Sequence, residues 1–147
     1  MKPEMIKLTF VLSDAIASRL PVSTESIWCE REQVGFRIKN APFFVDGLSF
    51  DDVISVKEGE AGTVALDRVL VKSKNSTLWI QLHDLEAGQC AIEQLVALGC
   101  GVESGVLSGY YSINVPERVS MDAVYGIVDP DVDKQILSVA YPSIRHE

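Results

Sequence analysis

Two histidines, three cysteines, a run of spaced aspartates and a cluster of phenylalanines are the residues whose types could carry chemistry. His83 directly precedes Asp84 at a strand-to-helix junction, a place where a general base can stand. A serine or thiol hydrolase needs a nucleophile, a base and a group that orients the base. His83 is the one credible base, because His146 sits next to the C-terminus and is expected to fray. No Gly-x-Ser-x-Gly is present, and no cysteine has the helix-start flanks that lower a thiol pKa. His83 therefore reads as a solvated, cap-adjacent histidine, and the chain as non-catalytic.

Asp129-Pro130-Asp131-Val132-Asp133 spaces three carboxylates like the opening of a calcium loop. Lys134 takes the sixth position in place of glycine and Ala140 the twelfth in place of glutamate, so the sharp turn and the bidentate ligand are missing. The run reads as an acidic, exposed turn. Gly99-Cys100-Gly101 with Gly105 follows a helix rather than a strand and has the wrong spacing for a dinucleotide loop. No metal and no cofactor is expected. Cys29, Cys90 and Cys100, odd in number and in apolar company, read as buried free thiols.

The densest feature is the segment from Asn40 to Asp52. It holds Phe43, Phe44 and Phe50, and Pro42 and Gly47 keep it irregular. Together with Trp28 or Trp79 these aromatics could line a ligand groove. They could equally plug the open end of a small barrel. Asp51 and Asp52 at its end either cap a turn or present charge.

Those residues need elements to position them. From Ser26 to His83 the chain reads as five short strands with regular turns, which predicts a small, strongly curved sheet or partial barrel. Before them, Met5 to Leu12 alternates with Ile6, Leu8, Phe10 and Leu12 on one face. Asp84 can cap a helix from Leu85 to Leu98 with Gly99 as its stop. Two strands follow, roughly 101–107 and 110–115. A second helix starts after Pro116, capped by Ser120 and stapled by Val119 with Val124, and Asp129-Pro130-Asp131 ends it. Gln135 to Tyr141 closes the chain as a strand. Taken from Thr77, the order is strand, helix, strand, strand, helix, strand, the split βαβ or ferredoxin-like arrangement. The expected class is α+β: a β-rich subdomain over 1–76 continuous with a ferredoxin-like subdomain over 77–147, packed as one unit.

The 147 residues suffice for one ordinary domain, and 47% apolar with 23% charged residues is an ordinary globular composition. Thirteen Lys and Arg against 21 Asp and Glu give a net charge of −8. Residues 1–50 are balanced at six acids and six bases, so the excess lies later. Nucleic acid is not expected as a partner, because binding it needs clustered cations. Glu4, Lys7 and Asp14 interrupt what would be the apolar core of a signal peptide. No later run approaches the about 18 apolar residues of a membrane span. The protein is expected to be cytoplasmic.

One set of motifs is familiar. Trp28-x-Glu30, Gly35-Phe36-Arg37-Ile38-x-Asn40-x-Pro42-Phe43-Phe44, Gly47-Leu48-Ser49, Asp52-Val53-Ile54 and Ser73-x-x-Ser76-Thr77-Leu78 resemble an uncharacterised bacterial family, a domain of unknown function. The resemblance covers about residues 25–115, and Leu98 to Gly101 resembles that family's helix-ending Leu-Gly-Cys. It implies a bacterial, cytoplasmic, stand-alone small protein and brings no reaction or catalytic residue.

Two functions fit these expectations. The first is a protein-binding module, specifically an immunity protein that neutralises a basic toxin domain through an acidic surface built from Asp84, Glu86, Glu93, Glu103, Glu117, Asp122, Asp129, Asp131 and Asp133. The alternative is a small-molecule-binding regulatory domain using the aromatic segment 42–50. Strand edges in the sheet could also pair two copies into a homodimer.

Overall fold

The computed structural model describes residues 4–105 and 107–147. Met1-Lys2-Pro3 and Val106, the latter part of the expected 101–107 strand, lie outside the described residues. The fold is α+β, and the chain divides into two compact units, Met1–Ser73 and Lys74–Glu147.

The first unit is a closed five-stranded barrel in the order β1 (Met5–Val11), β2 (Thr24–Arg31), β3 (Phe36–Ile38), β4 (Val53–Glu58), β5 (Val64–Val71). A four-residue helix, α1 (Asp14–Ala17), interrupts the path from β1 to β2. The sheet closes where β1 meets β5 in parallel, Phe10 beside Val64. The expectation is a small, strongly curved sheet or partial barrel; β1 supplies the fifth strand, and two register shifts in the β4–β5 ladder add the bend that closure demands. Inward residues alternate along β2, with Glu25, Ile27 and Cys29 all buried. They meet Phe10, Ile38, Leu48, Ile54 and Val64 in one apolar core. Leu48 and Val45, rather than the phenylalanines, are what the 40–52 segment contributes to it.

The second unit is a four-stranded antiparallel sheet with two helices on one face. Its elements are β6 (Ser76–Leu82), α2 (Leu85–Leu98), β7 (Gly101–Ser104), β8 (Tyr110–Val115), α3 (Met121–Asp133) and β9 (Leu137–Ser143), and the sheet order is β7-β8-β6-β9. Leu78, Ile80 and Leu82 alternate toward the helices and pack on Ile92 and Leu95 of α2 and on Val124 and Val128 of α3. Asp84 caps α2 by accepting from the Ala87 N–H at 2.9 Å, and Gly99 ends it at φ 113°.

Helix α3 does not stop at Asp129. It runs through Pro130 to Asp133. Pro130 lacks only the N–H that would serve the Gly126 carbonyl, and Gly126 faces solvent, where water can take that role. Past the helix, Gln135 N–H donates to Val132 O at 3.0 Å and Ile136 N–H to Asp131 O at 2.9 Å. This is a Schellman closure with Gln135, at φ 60°, in the left-handed position that glycine usually fills. The final strand therefore starts at Leu137, two residues later than expected.

The C-terminus is docked, not frayed. His146 Nε2 donates to the Val119 carbonyl at 2.7 Å, and its Nδ1 lies 3.0 Å from Ser76 Oγ. The Arg145 N–H donates to the same hydroxyl at 2.8 Å.

Among the cysteines, Cys29 and Cys100 are buried, but Cys90 is exposed on α2. Burial pushes the Cys29 thiol up to about 12, and it pushes Cys100 to about 11 against the opposing pull of Arg118. The native state thus keeps protons that unfolded thiols release near their usual value of 9.0. This contribution to stability is full below pH 9 and is lost as pH climbs toward 12. Urea midpoints are expected to fall between pH 8 and 11. At pH 8 a thiol reagent should modify Cys90 alone until the protein unfolds, and equal labelling of all three thiols would contradict the burial. Among the described residues, no helix is long and apolar enough to cross a membrane.

Candidate functional site

Charge separates the two units. Lys74–Glu147 holds ten Asp and Glu against four Lys and Arg, whereas Met1–Ser73 holds eleven against nine. Arg31, Arg37, Lys39 and Lys57 of the first unit form local ion pairs, including Arg37 with Glu32 at 2.6 Å and Lys39 with Asp51 at 2.8 Å.

The nine acids of the expected partner surface all lie in the second unit. Asp84, Glu86 and Asp122 stand at helix starts, where a carboxylate complements the N-terminal dipole. Glu117 lies 3.5 Å from Lys74 across an exposed pair. Glu103 is half-buried on β7. Local stability explains these placements or leaves them neutral. It does not explain Asp129, Asp131 and Asp133, which crowd the last turns of α3, where no basic residue lies within the helix and Lys134, the C-cap residue, is the base that adjoins them. Carboxylates at a helix C-terminus oppose the dipole at a cost of about 0.3–1 kcal/mol each. The Asp129–Asp133 run is thus helical, not the exposed turn its spacing suggested.

Helical geometry gathers these acids into two solvent ridges. On α2 the ridge is Glu86, Cys90, Glu93 and Ala97; on α3 it is Asp122, Gly126, Asp129 and Asp133. In both helices small side chains stand between the carboxylates. A Cβ added to Gly126 would meet nothing within 4 Å, so packing does not require glycine there. Mid-helix glycine costs about 1 kcal/mol relative to alanine. The α3 ridge therefore combines three locally unfavourable choices: Gly126, Pro130 and the C-terminal acids.

A cleft of about 430 Å³ opens at the end of α3, lined by His83, Val132, Gln135, Leu137 and Ser138. His83 Nε2 lies 2.6 Å from Ser138 Oγ. Imidazole next to hydroxyl is a hydrogen-bonding pair, and among the described residues no carboxylate is bonded to His83 Nδ1 to orient it as a base. A sequence separation of 55 positions hides this pair from any local motif.

The expected aromatic groove is distributed. Trp28 stands 44% exposed on the barrel wall, with Lys7 Nζ 5.5 Å from its ring centre, and the Trp28 main-chain N–H donates to Asn40 Oδ1 at 2.7 Å. Phe43 and Phe44 lie 6.2 Å apart, half-buried. Phe50 carries Lys39 Nζ at 4.7 Å, and Trp79 is a half-buried residue of β6 in the second unit. The residue that organises the segment is one the sequence reading passed over. Glu25, at 8% exposure, accepts the N–H groups of Phe43 at 2.6 Å, Phe44 at 2.9 Å and Val45 at 3.2 Å. Alternation through Ile27 and Cys29, carried back two residues, points at Glu25 as an inward carboxylate. Asp52 is a cap, fully buried, accepting from Ser49 N–H at 2.9 Å and Ser73 N–H at 2.8 Å. Among the described residues no group of three or more His, Cys, Asp or Glu is placed to hold a metal ion.

No functionally curated protein matches the chain. In fold it is similar to a hypothetical protein from Neisseria gonorrhoeae of known crystal structure, with a TM-score of 0.75 and 20% identity over 100% of both chains. The model of a domain of unknown function, DUF4265, matches residues 25–138. That span takes in the barrel from Glu25 of β2 onward, both α2 and α3 and the ridge acids, and the chain belongs to the DUF4265 family.

Proposed function

We propose that the protein is a non-catalytic, cytoplasmic binding module whose second unit, ferredoxin-like in its element and strand order, presents the acidic ridges of α2 and α3 to a basic protein. The reading extends to an immunity protein of a bacterium, with a toxin domain as the partner. The observation that carries it is the set of acids at the C-terminal end of α3, kept where they oppose the helix dipole. Sequences break a local rule mainly where function requires it. An acidic face accelerates encounter with a basic partner and mimics the anionic substrate such a partner would bind.

The test joins stability to binding. Neutralising Asp129 and Asp133 to Asn should raise the unfolding free energy by about 0.3–1 kcal/mol per site. The triple reversal Glu93→Lys, Asp129→Lys and Asp133→Lys should slow association with a captured basic partner at least about tenfold and flatten its salt dependence. Unchanged association kinetics, or a stability loss in the Asn variants, contradicts the reading.

A further inference from the structure

We propose that the outer edge of β9 takes up an extended, lysine- or arginine-bearing segment of the partner as an added strand, with one basic side chain entering the cleft of His83, Val132, Gln135, Leu137 and Ser138. The inference rests on the reading of the protein as a binder of a basic partner and names how that partner is held.

The His83 N–H donates to the Ile136 carbonyl at 2.7 Å, and β6 and β9 keep register from Leu82↔Leu137 to Trp79↔Ala140. Antiparallel alternation therefore turns the main-chain N–H and C=O of Leu137 and Val139 away from β6. β9 is the last strand of its sheet, and among the described residues no strand pairs with its outer side. Ser138, Ala140 and Tyr141 along it are exposed. A row of outward main-chain groups beside a side-chain pocket is the template that strand addition uses.

The cleft opens on this same edge, since Leu137 belongs to both. Val132, exposed beside the buried Leu137, offers an apolar wall for the aliphatic stem of a basic side chain, and His83, Ser138 and Gln135 offer a polar rim. Asp131 and Asp133 flank Val132 in sequence, and Asp84 adjoins His83. The negative field reaches the strand itself: burial first, then Asp129 and Tyr125, push the Tyr141 phenol up to about 12. Lys134, beside Gln135, is the base that adjoins this lining, and three carboxylates against one ammonium leave the cleft net negative, so a cation is attracted here and a carboxylate repelled. Gln135 adds a separate hint. Its left-handed backbone would suit glycine, and a non-glycine residue there costs about 1 kcal/mol. What that cost retains is an amide at the cleft.

The experiment titrates the full-length, isotope-labelled protein with a blocked hexapeptide of alternating lysine and valine. Saturable amide shifts are expected at His83, Leu137 and Val139, with hydrogen exchange at Leu137 and Val139 slowed at least about tenfold. One of the two alternately N-methylated forms of the peptide should lose about tenfold in affinity, because only one phase of its main chain faces β9. A glutamate–valine peptide should not bind. Gln135→Gly should melt higher than the wild type yet bind the lysine peptide more weakly, a combination that a purely structural role for Gln135 does not produce. Shifts confined to the Glu86, Glu93, Asp122 and Asp129 ridges overturn the edge site while sparing the acidic-partner reading. Equal binding by both N-methylated forms also overturns it. No saturable shift up to millimolar peptide overturns both.

Discussion

Glu25→Ala should cost the barrel about 3–5 kcal/mol, enough to unfold a marginal unit at room temperature. The carboxylate is buried and accepts three consecutive N–H groups from Phe43, Phe44 and Val45. Removing it strands those donors, and each desolvated, unpaired N–H costs about 1–3 kcal/mol. Glu25→Gln should be milder, because an amide keeps one oxygen for Phe44 and Val45 and loses only the acceptor facing Phe43. The readout is Trp28 fluorescence in a Trp79→Phe background under urea, which reports the first unit alone. A loss below about 1 kcal/mol for the alanine variant would show that the segment holds its shape without the carboxylate.

Gly35→Ala is expected to be comparably damaging for a different reason. Gly35 turns the chain from β2 into β3 at φ 83°, and a Cβ there would run into the Ile54 carbonyl oxygen, with Leu70 Cδ1 close behind. The obstacle is backbone of the paired strand β4, so it cannot swing aside as a side-chain tip would. Left-handed strain adds about 1–2 kcal/mol to the clash, for a total of about 3 kcal/mol or more. Gly47→Ala is the matched control: its φ is 78°, but nothing lies within 4 Å of the added carbon. It should lose only the strain. Equal losses at the two sites in urea unfolding would mean that the Ile54 contact is inconsequential.

The elements were more legible in the sequence than their assembly. Helix α2 could be read residue for residue, because Asp84, the apolar stripe ending at Leu98, and Gly99 are local signals that agree. Barrel closure could not, since the β1–β5 contact is a single parallel pair encoded by no local pattern. Pro130 misplaced the end of α3, because proline in a last turn forfeits one hydrogen bond on the wet side and leaves the others intact. His146 and its partner Ser76 are 70 residues apart, and an exposed-looking terminus gave no sign of that tether. The acids were visible as composition. Which of them oppose their helix became apparent only once α3 reached Asp133.

The two borders of the second sheet bear on what happens in crowded solution. β7 is four residues long, and β9 carries Pro142 within the stretch, between Ala140 and Ser143, where its register with β6 shifts. Proline has no N–H to offer a neighbour, so an incoming strand finds only a short rung sequence before the ladder stops. One added segment can be held there, but a second copy gains too few rungs to recruit a third. Growth into fibres is thereby blocked at the first step, which lets an open border serve recognition without seeding aggregation.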